Sequence, residues 1–161
     1  MNVEDVMTRD PVTIQSKSTI REAARIIRGN KIGGLPVLEG DNLIGMITES
    51  DILALLETKE PSDDLWLPSP LEVIEIPIRE FFNWERAKEA LSDIGSRPVS
   101  SVMSYPIITV DADASVEEAA RIMLKQGVAR LPVLQDGKLA GIITRADIVE
   151  GIGREQEEVT E

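Results

Sequence analysis

A glycine, a threonine and an aspartate recur with one spacing at two places in the chain, Gly45-Met46-Ile47-Thr48-Glu49-Ser50-Asp51 and Gly141-Ile142-Ile143-Thr144-Arg145-Ala146-Asp147. The glycine permits another group to approach closely. A threonine that opens a helix places its hydroxyl beside unpaired backbone N–H groups, which suits an anion. The aspartate one turn later offers a carboxylate to the two hydroxyls of a ribose, so the pattern fits a nucleotide. The same Thr-x-x-Asp spacing is also a capping box, which needs no ligand.

The two motifs belong to an internal repeat. Residues 3–56 align with residues 99–152 at a constant offset of 96, and about 19 of the 54 aligned positions are identical. One copy of this length, with three short strands, buries little apolar surface alone. The sequence therefore predicts that the two copies fold as a pair, sheet against sheet around a pseudo-two-fold axis.

Each copy reads as strand, helix, strand, strand, helix. The first strands are predicted at residues 12–14 and 107–110, where β-branched residues cluster. Capping boxes at Thr19 and Ser115 predict the first helices, which carry apolar residues at helical spacing. These residues are Ile20, Ala23, Ala24 and Ile27 in the first copy and Val116, Ala119, Ala120 and Met123 in the second. Turn residues at 39–42 and 135–138 predict hairpins, and the last helices begin near Thr48 and Thr144.

The composition excludes several classes of chemistry. The 161 residues include no Cys and no His, which argues against zinc sites, thiol redox chemistry and Ser/His or Cys/His catalysis. The net charge of −12 argues against a nucleic-acid partner, since such proteins carry excess Lys and Arg. The sequence has neither the pattern of a signal peptide nor an apolar run long enough for a membrane span. We expect a cytoplasmic protein that associates with no membrane.

The repeat divides the chain into four segments: a first copy at 1–57, an insertion at 58–97, a second copy at 98–153 and an acidic tail at 154–161, expected to be frayed. Within the insertion, a helix is predicted near residues 83–94. Its apolar face would carry Trp84, Ala87, Leu91 and Ile94. The insertion is either a linker that packs back on the pair, or a contact for a partner or lid over a ligand cleft.

The order of these motifs, twice in one chain, resembles the CBS (cystathionine-β-synthase) domain. The motifs are Val-x-x-Val-Met, a helix with Glu-Ala-Ala, Leu-Pro-Val and Gly-x-x-Thr-x-x-Asp. The resemblance implies an α+β fold in which two β-α-β-β-α repeats form a pseudo-two-fold pair, here stand-alone and with an insertion. It also implies a regulatory module that binds AMP, ADP, ATP or S-adenosylmethionine in clefts between the copies. We expect no enzyme and no required cofactor, because the sequence shows no nucleophile and base pair and its spacing shows no carboxylate cluster for metal chemistry.

The resemblance also assigns residues to two clefts. One combines Thr48 and Asp51 with Ile108, Ala129 and Arg130, and the other combines Thr144 and Asp147 with Val12, Gly33 and Gly34. Arg130 is expected to contact phosphate and to favour the first cleft for phosphorylated ligands, unless it is a mere surface charge. The second cleft, lined by Gly33 and Gly34, is expected to have room but fewer fixed charges, with Arg145 and Lys31 as candidate cations. Glu49, the counterpart of Arg145, would repel phosphate.

The family often forms dimers, so we expect a homodimer built on the helices after Thr48 and Thr144. Their apolar residues are Ile52, Leu53, Leu55, Leu56, Ile148, Val149 and Ile152, which could instead pack within one chain. The alternative function is a dimeric scaffold with empty clefts that presents the Trp84 region to an unidentified protein partner.

Overall fold

The computed structural model describes residues 1–56, 88–89 and 91–155. The first copy contains α1 (Val3–Val6), β1 (Thr8–Arg9), β2 (Ile14–Gln15), α2 (Ile20–Asn30), β3 (Gly34–Glu39), β4 (Asn42–Thr48) and α3 (Glu49–Ala54). The second contains a 3-10 helix (Val99–Ser101), β5 (Val110–Asp111), α4 (Val116–Gln126), β6 (Arg130–Gln135), β7 (Lys138–Thr144) and α5 (Arg145–Glu155). The predicted α+β class is confirmed.

Helices α2 and α4 start at their predicted N-caps, Thr19 and Ser115, but only Thr19 forms the predicted reciprocal capping box. Thr19 Oγ1 accepts a hydrogen bond from the Glu22 N–H at 3.2 Å, and the Glu22 carboxylate accepts one from the Thr19 N–H at 3.0 Å. Helix α2 ends at Asn30, and its C-cap Lys31 has a left-handed φ of 53°. The predicted apolar face is right except that Ala24 is exposed, because the stripe that faces the sheet turns toward Ile26.

Two hairpins form the centre of the two sheets. Strands β3 and β4 pair antiparallel, as do β6 and β7, with left-handed turn residues at Gly40 and Gly137. The first strands join them in parallel, with Ile14 opposite Val37 and Val110 opposite Val133. These strands are shorter and later than predicted.

Val12 and Ile108 were therefore placed wrongly within strands. Ladder pairing with the hairpin begins only at Ile14 and Val110, and the residues before them line the clefts between the copies.

The beginning of each copy packs on the other copy. Strand β1 pairs antiparallel with β7, with Thr8 opposite Ile142, and the matching bridge joins Ser104 to Met46. The sequence did not predict α1 or β1. These exchanged segments tie the two sheets together.

The two hydrophobic cores show the same exchange. Val3 and Met7 are buried in the core of the second copy, whereas Val99 is buried in that of the first. Each core is therefore completed by a residue segment from the other copy, and that segment comes before the other copy's predicted first strand. The copies are repeats in sequence but not separate units of packing.

Part of the predicted insertion helix lies outside the described residues, and that part includes Trp84 and Ala87. Residues 91–96 are helical, with Leu91 exposed and Ile94 half-buried. The Arg21 guanidinium of α2 donates a hydrogen bond to the Ser92 carbonyl at 3.4 Å. This end of the insertion therefore rests on the first copy. Of the predicted tail, residues 154 and 155 are helical and the rest lies outside the described part.

Candidate functional site

Two cavities lie between the copies, related by the repeat. The first, which we call the Thr48 cleft, has a volume of about 400 Å³. It is lined by Met46, Thr48, Ser50, Asp51, Ser104, Pro106, Ile107, Ile108, Gly127, Val128, Ala129, Arg130 and Arg145. The second, the Thr144 cleft, has a volume of about 460 Å³. It is lined by Thr8, Asp10, Pro11, Val12, Lys31, Ile32, Gly33, Gly34, Ala129, Arg130, Ile142, Thr144, Arg145, Ala146 and Asp147.

The structure brings together all the residues assigned to each cleft. Thr48 and Asp51 of the first copy face Ile108, Ala129 and Arg130 of the second across one cavity. In the other cavity the second copy supplies the threonine and aspartate, and the first copy supplies Val12, Gly33 and Gly34. Arg145 and Lys31 also line this Thr144 cleft.

The aspartates do form capping boxes. Asp51 Oδ2 accepts hydrogen bonds from the Thr48 N–H at 2.8 Å and from the Thr48 hydroxyl at 3.0 Å. Asp147 Oδ2 accepts the corresponding bonds from Thr144 at 2.7 and 2.8 Å. Each threonine hydroxyl in turn accepts from the aspartate N–H. One carboxylate oxygen of each aspartate is therefore committed to its own helix.

The second carboxylate oxygen differs between the clefts. Asp51 Oδ1 accepts a hydrogen bond from the Ser104 hydroxyl at 3.2 Å. Among the described residues, no hydrogen-bond donor reaches Asp147 Oδ1. The Thr144 cleft thus presents a carboxylate oxygen that can accept a ligand hydroxyl without displacing a protein group.

The motif glycines admit the polypeptide itself. A Cβ on Gly141 would lie 2.8 Å from the Thr8 carbonyl oxygen, and a Cβ on Gly45 would lie 3.0 Å from the Ser104 carbonyl oxygen. Strand β1 and the Met46–Ser104 bridge approach at these points. The close approach inferred from sequence is therefore the crossing of the two copies.

Arg130 lies where the two clefts meet. Its Nη1 donates a hydrogen bond to the Gly33 carbonyl at 2.8 Å, and a Cβ on Gly33 would lie 2.9 Å from its Cζ. Burial lowers the pKa of Arg130, and the carboxylates of Glu49 and Asp51 partly oppose this effect. The side chain is half-buried, which argues against a mere surface charge.

One expectation about the asymmetry of the clefts is wrong. The Thr144 cleft has a volume of about 460 Å³ against about 400 Å³ for the Thr48 cleft, although the Arg130 guanidinium reaches across from the second copy and fills the space directly beside Gly33 and Gly34. The expectation of fewer fixed charges in the Thr144 cleft is the wrong one, because Arg130 and Arg145 line both cavities and Lys31 lines this one.

Sequence reasoning missed two polar residues that line the clefts. Ser104 contacts Asp51, and its counterpart by the repeat offset, Thr8, lines the Thr144 cleft. Both immediately follow the Val-x-x-Val-Met motif, so their position after that motif was the available signal. Asp10 adds a carboxylate to the Thr144 cleft where the matching residue of the other cleft is Pro106.

Within the described residues, no group of acidic side chains is arranged to hold a metal ion. In the same part of the chain, none of the helices has the length and apolarity needed to traverse a bilayer. The clefts therefore offer hydroxyl, carboxylate, guanidinium and apolar contacts as their binding chemistry.

Comparison with known proteins agrees with the repeat. The sequence profile of the CBS domain matches residues 3–58 and 99–154. The uncharacterized protein MJ1426 of Methanocaldococcus jannaschii is 36% identical over 154 residues, covering 94% of this chain and 91% of that protein.

Two solved structures show the same fold. The crystal structure of CBSX2 in complex with AMP aligns with a TM-score of 0.68 and 24% identity, covering 96% of this chain and 98% of that chain. The CBS domain pair of protein MJ0100, in complex with 5-methylthioadenosine and S-adenosyl-L-methionine, aligns with a TM-score of 0.66 and 24% identity, over 96% and 98% of the two chains. The resemblance drawn from the motifs is confirmed: the chain belongs to the CBS domain family and carries two copies of that domain.

Proposed function

We propose that this protein is a regulatory module that binds an adenosyl ligand in the two clefts between its copies. The candidate ligands are AMP, ADP, ATP and S-adenosylmethionine. The observation that carries the proposal is the composition of each cleft, which joins the Thr and Asp of one copy to apolar and cationic residues of the other.

Each part of such a ligand has a complementary group. Ile107 and Ile108 offer apolar surface to adenine in the Thr48 cleft, and Val12 and Ile142 do so in the Thr144 cleft. The aspartate would accept from the ribose hydroxyls. Volumes of about 400 and 460 Å³ are in the range of small-molecule sites.

The far end of the ligand meets positive charge. Arg130 and Arg145 line both clefts, and a guanidinium can bind phosphate through two parallel hydrogen bonds. The sulfonium and amino groups of S-adenosylmethionine would instead require acidic neighbours, which Asp10 offers in the Thr144 cleft. The ligands of CBSX2 and of the MJ0100 pair share the adenosyl group, which supports this ligand class.

Regulation requires a partner that distinguishes the bound from the free form, because a ligand shifts an equilibrium only by its differential affinity. We place no catalytic step in the clefts and require no cofactor, because the carboxylates that contact hydroxyls there, Asp51 and Asp147, are engaged by the backbone N–H groups of Thr48 and Thr144 as parts of helix caps. A cytoplasmic location and the absence of a nucleic-acid partner remain predictions.

We also propose a homodimer, for which the exposed apolar surface of the last helices is the support. Leu53 on α3 is 61% exposed, and Val149 and Ile152 on α5 are 69% and 53% exposed. Ile148 is buried in the core of the second copy and Ile52 packs on the core of the first, so each of these two residues packs within its own copy. The same surface favours the alternative function, a dimeric scaffold whose clefts stay empty.

Titration calorimetry separates the two functions. Adenosine, AMP, ADP, ATP and S-adenosylmethionine are titrated into the full chain, with guanosine and GMP as matched controls for the base. Saturable binding of at least one adenosyl compound, stronger than its guanosine counterpart, is expected. No adenosyl binding at millimolar concentration would refute the ligand function and favour the scaffold.

A further inference from the structure

The Arg130 side chain faces two cavities. Ala129, Arg130 and Arg145 line both clefts, so these residues form the wall that the clefts share. Arg130 reaches from β6 of the second copy to the Gly33 carbonyl of the first. The Arg130 guanidinium thus lies within reach of ligands on either side, and the Arg145 side chain lines the same wall.

The resting contact of Arg130 can be released without orphaning its acceptor. The Gly33 carbonyl also accepts a hydrogen bond from the Glu49 N–H at 3.0 Å, in addition to that from Arg130 at 2.8 Å. When the guanidinium leaves, the carbonyl keeps one partner. Arg130 forms no ion pair within 4 Å with any of the described residues, and the Glu49 and Asp51 carboxylates oppose the effect of burial on its pKa only from a greater distance, so its hydrogen-bond donors are not held by a carboxylate.

The repeat provides no second copy of this group. The counterpart of Arg130 is Gly34, and a Cβ on Gly34 would lie 3.0 Å from Arg130 Nη1. The crowding at this point leaves space for one long side chain. Two clefts therefore share one arginine at the position where each would need its own.

We propose, on the basis of the proposed adenosyl-binding function, that Arg130 is a shared phosphate ligand that couples the two clefts. A phosphorylated ligand in one cleft takes the guanidinium, and a second phosphorylated ligand must then bind the other cleft without it. AMP therefore binds with negative coupling between the clefts, whereas adenosine, which lacks phosphate, binds the two clefts independently.

The test compares each cleft alone with both together. Val12→Trp fills the Thr144 cleft and Ile108→Trp, its counterpart by the repeat offset, fills the Thr48 cleft, and neither changes Arg130. Calorimetry with AMP on the two single-cleft variants gives two intrinsic affinities. We expect the second AMP to bind the unmodified chain about 10-fold more weakly than the weaker intrinsic affinity, within the usual range of coupling between sites.

Two controls assign the coupling to the guanidinium and to phosphate. In Arg130→Gln, and with adenosine in place of AMP, the isotherm of the two-cleft protein should equal the sum of the single-cleft isotherms. Arg121→Gln removes an exposed arginine outside both clefts and should leave the coupling intact. Circular dichroism verifies folding. If Val12→Trp does not fold, Asp147→Asn replaces it, and if Ile108→Trp does not fold, Asp51→Asn replaces it.

The outcomes separate the coupling from the function on which it rests. AMP isotherms that are additive in the unmodified chain would overturn the coupling while leaving adenosyl binding established. Coupling that persists with adenosine or in Arg130→Gln would overturn the role of Arg130. Absence of binding by AMP and adenosine alike would overturn the proposed function, and the coupling with it.

Discussion

The aspartate of each cleft either only caps its helix or also holds a ribose, and replacing it by asparagine separates these roles. Asp147 Oδ2 accepts two hydrogen bonds from Thr144, at 2.7 and 2.8 Å. The amide oxygen of asparagine can accept the same bonds. Its NH₂ group then replaces Oδ1, so the cleft presents a donor where a ribose hydroxyl needs an acceptor.

The two roles predict different magnitudes. Asp147→Ala removes the cap and should lower the free energy of unfolding by about 0.5–2 kcal/mol. Asp147→Asn keeps the cap in neutral form and should cost about 1 kcal/mol or less. If Oδ1 accepts from ribose, the loss of that charged hydrogen bond is about 1.5–3 kcal/mol, which is roughly 10-fold to 150-fold in adenosine affinity.

The assay combines urea unfolding with calorimetry of adenosine. Both aspartate variants are made in the Ile108→Trp background, so that only the Thr144 cleft is open to the ligand. A small loss of stability with a large loss of affinity in Asp147→Asn supports the ribose role. Unchanged adenosine affinity in Asp147→Asn would refute it and leave the aspartate as a cap alone.

The Thr48 cleft provides an internal comparison, because Asp51 Oδ1 is already engaged by the Ser104 hydroxyl at 3.2 Å. A ribose there competes with a protein donor. Ser104→Ala should therefore tighten adenosine binding, by up to about 10-fold for one hydrogen bond, when it is measured in the Val12→Trp background. Weaker binding in Ser104→Ala would show that the serine itself contacts the ligand.

Three further predictions concern the crossing segment, the dimer and the phosphate. Gly141→Ala places a Cβ 2.8 Å from the Thr8 carbonyl oxygen and should destabilise the chain by about 1–3 kcal/mol in urea unfolding. The control Gly29→Ala, in open space on α2, should stabilise the chain by up to about 1 kcal/mol. Equal effects of the two substitutions would contradict the close crossing of β1 over Gly141. Val149→Glu or Leu53→Glu should convert the expected dimer to a monomer in light scattering, and a monomeric parent chain would refute the dimer. Arg130→Ala should weaken AMP about 10-fold or more but spare adenosine in calorimetry, and equal losses would mean that Arg130 maintains the cleft itself.

Local signals in the sequence predicted the elements that depend on neighbouring residues. The cap at Thr19 joins groups three residues apart, and the turn at Gly40 joins two strands that are consecutive in the sequence. Spacing along the chain therefore identifies both. Strand β1 has only two residues and its partner is Ile142, more than a hundred positions away. No local pattern encodes such a pairing, and the exchange of segments between the copies was therefore missed.

The residues of the clefts followed from the family resemblance, but the reach of one side chain did not. Alignment places a residue by its backbone, which assigned Arg130 to the Thr48 cleft alone. The guanidinium lies at the end of a long side chain and contacts Gly33, a residue of the other cleft. The guanidinium also fills the space beside the Gly33 Cα, which alignment of the two copies could not indicate.

Two adjacent glycines distinguish a movable neighbour from a fixed one. The three atoms nearest to a Cβ on Gly33 all belong to the Arg130 guanidinium, whereas a Cβ on Gly34 would also lie 3.0 Å from the Ile47 carbonyl oxygen of the paired strand. Gly33→Ala should therefore change the free energy of unfolding by less than about 1 kcal/mol, and Gly34→Ala should lower it by about 1–3 kcal/mol.

The consequence for binding follows from where the guanidinium goes. Gly33→Ala displaces Arg130 from the Gly33 carbonyl, so the guanidinium no longer has to leave that contact to reach a phosphate. In the Val12→Trp background, AMP should bind the Thr48 cleft more tightly, by up to about 10-fold, while adenosine affinity stays the same. Calorimetry and urea unfolding of the same samples measure both effects. Weaker AMP binding at unchanged stability would mean that the contact with Gly33 orients Arg130 toward phosphate. That result would contradict the view that Arg130 must leave the Gly33 carbonyl before it binds AMP.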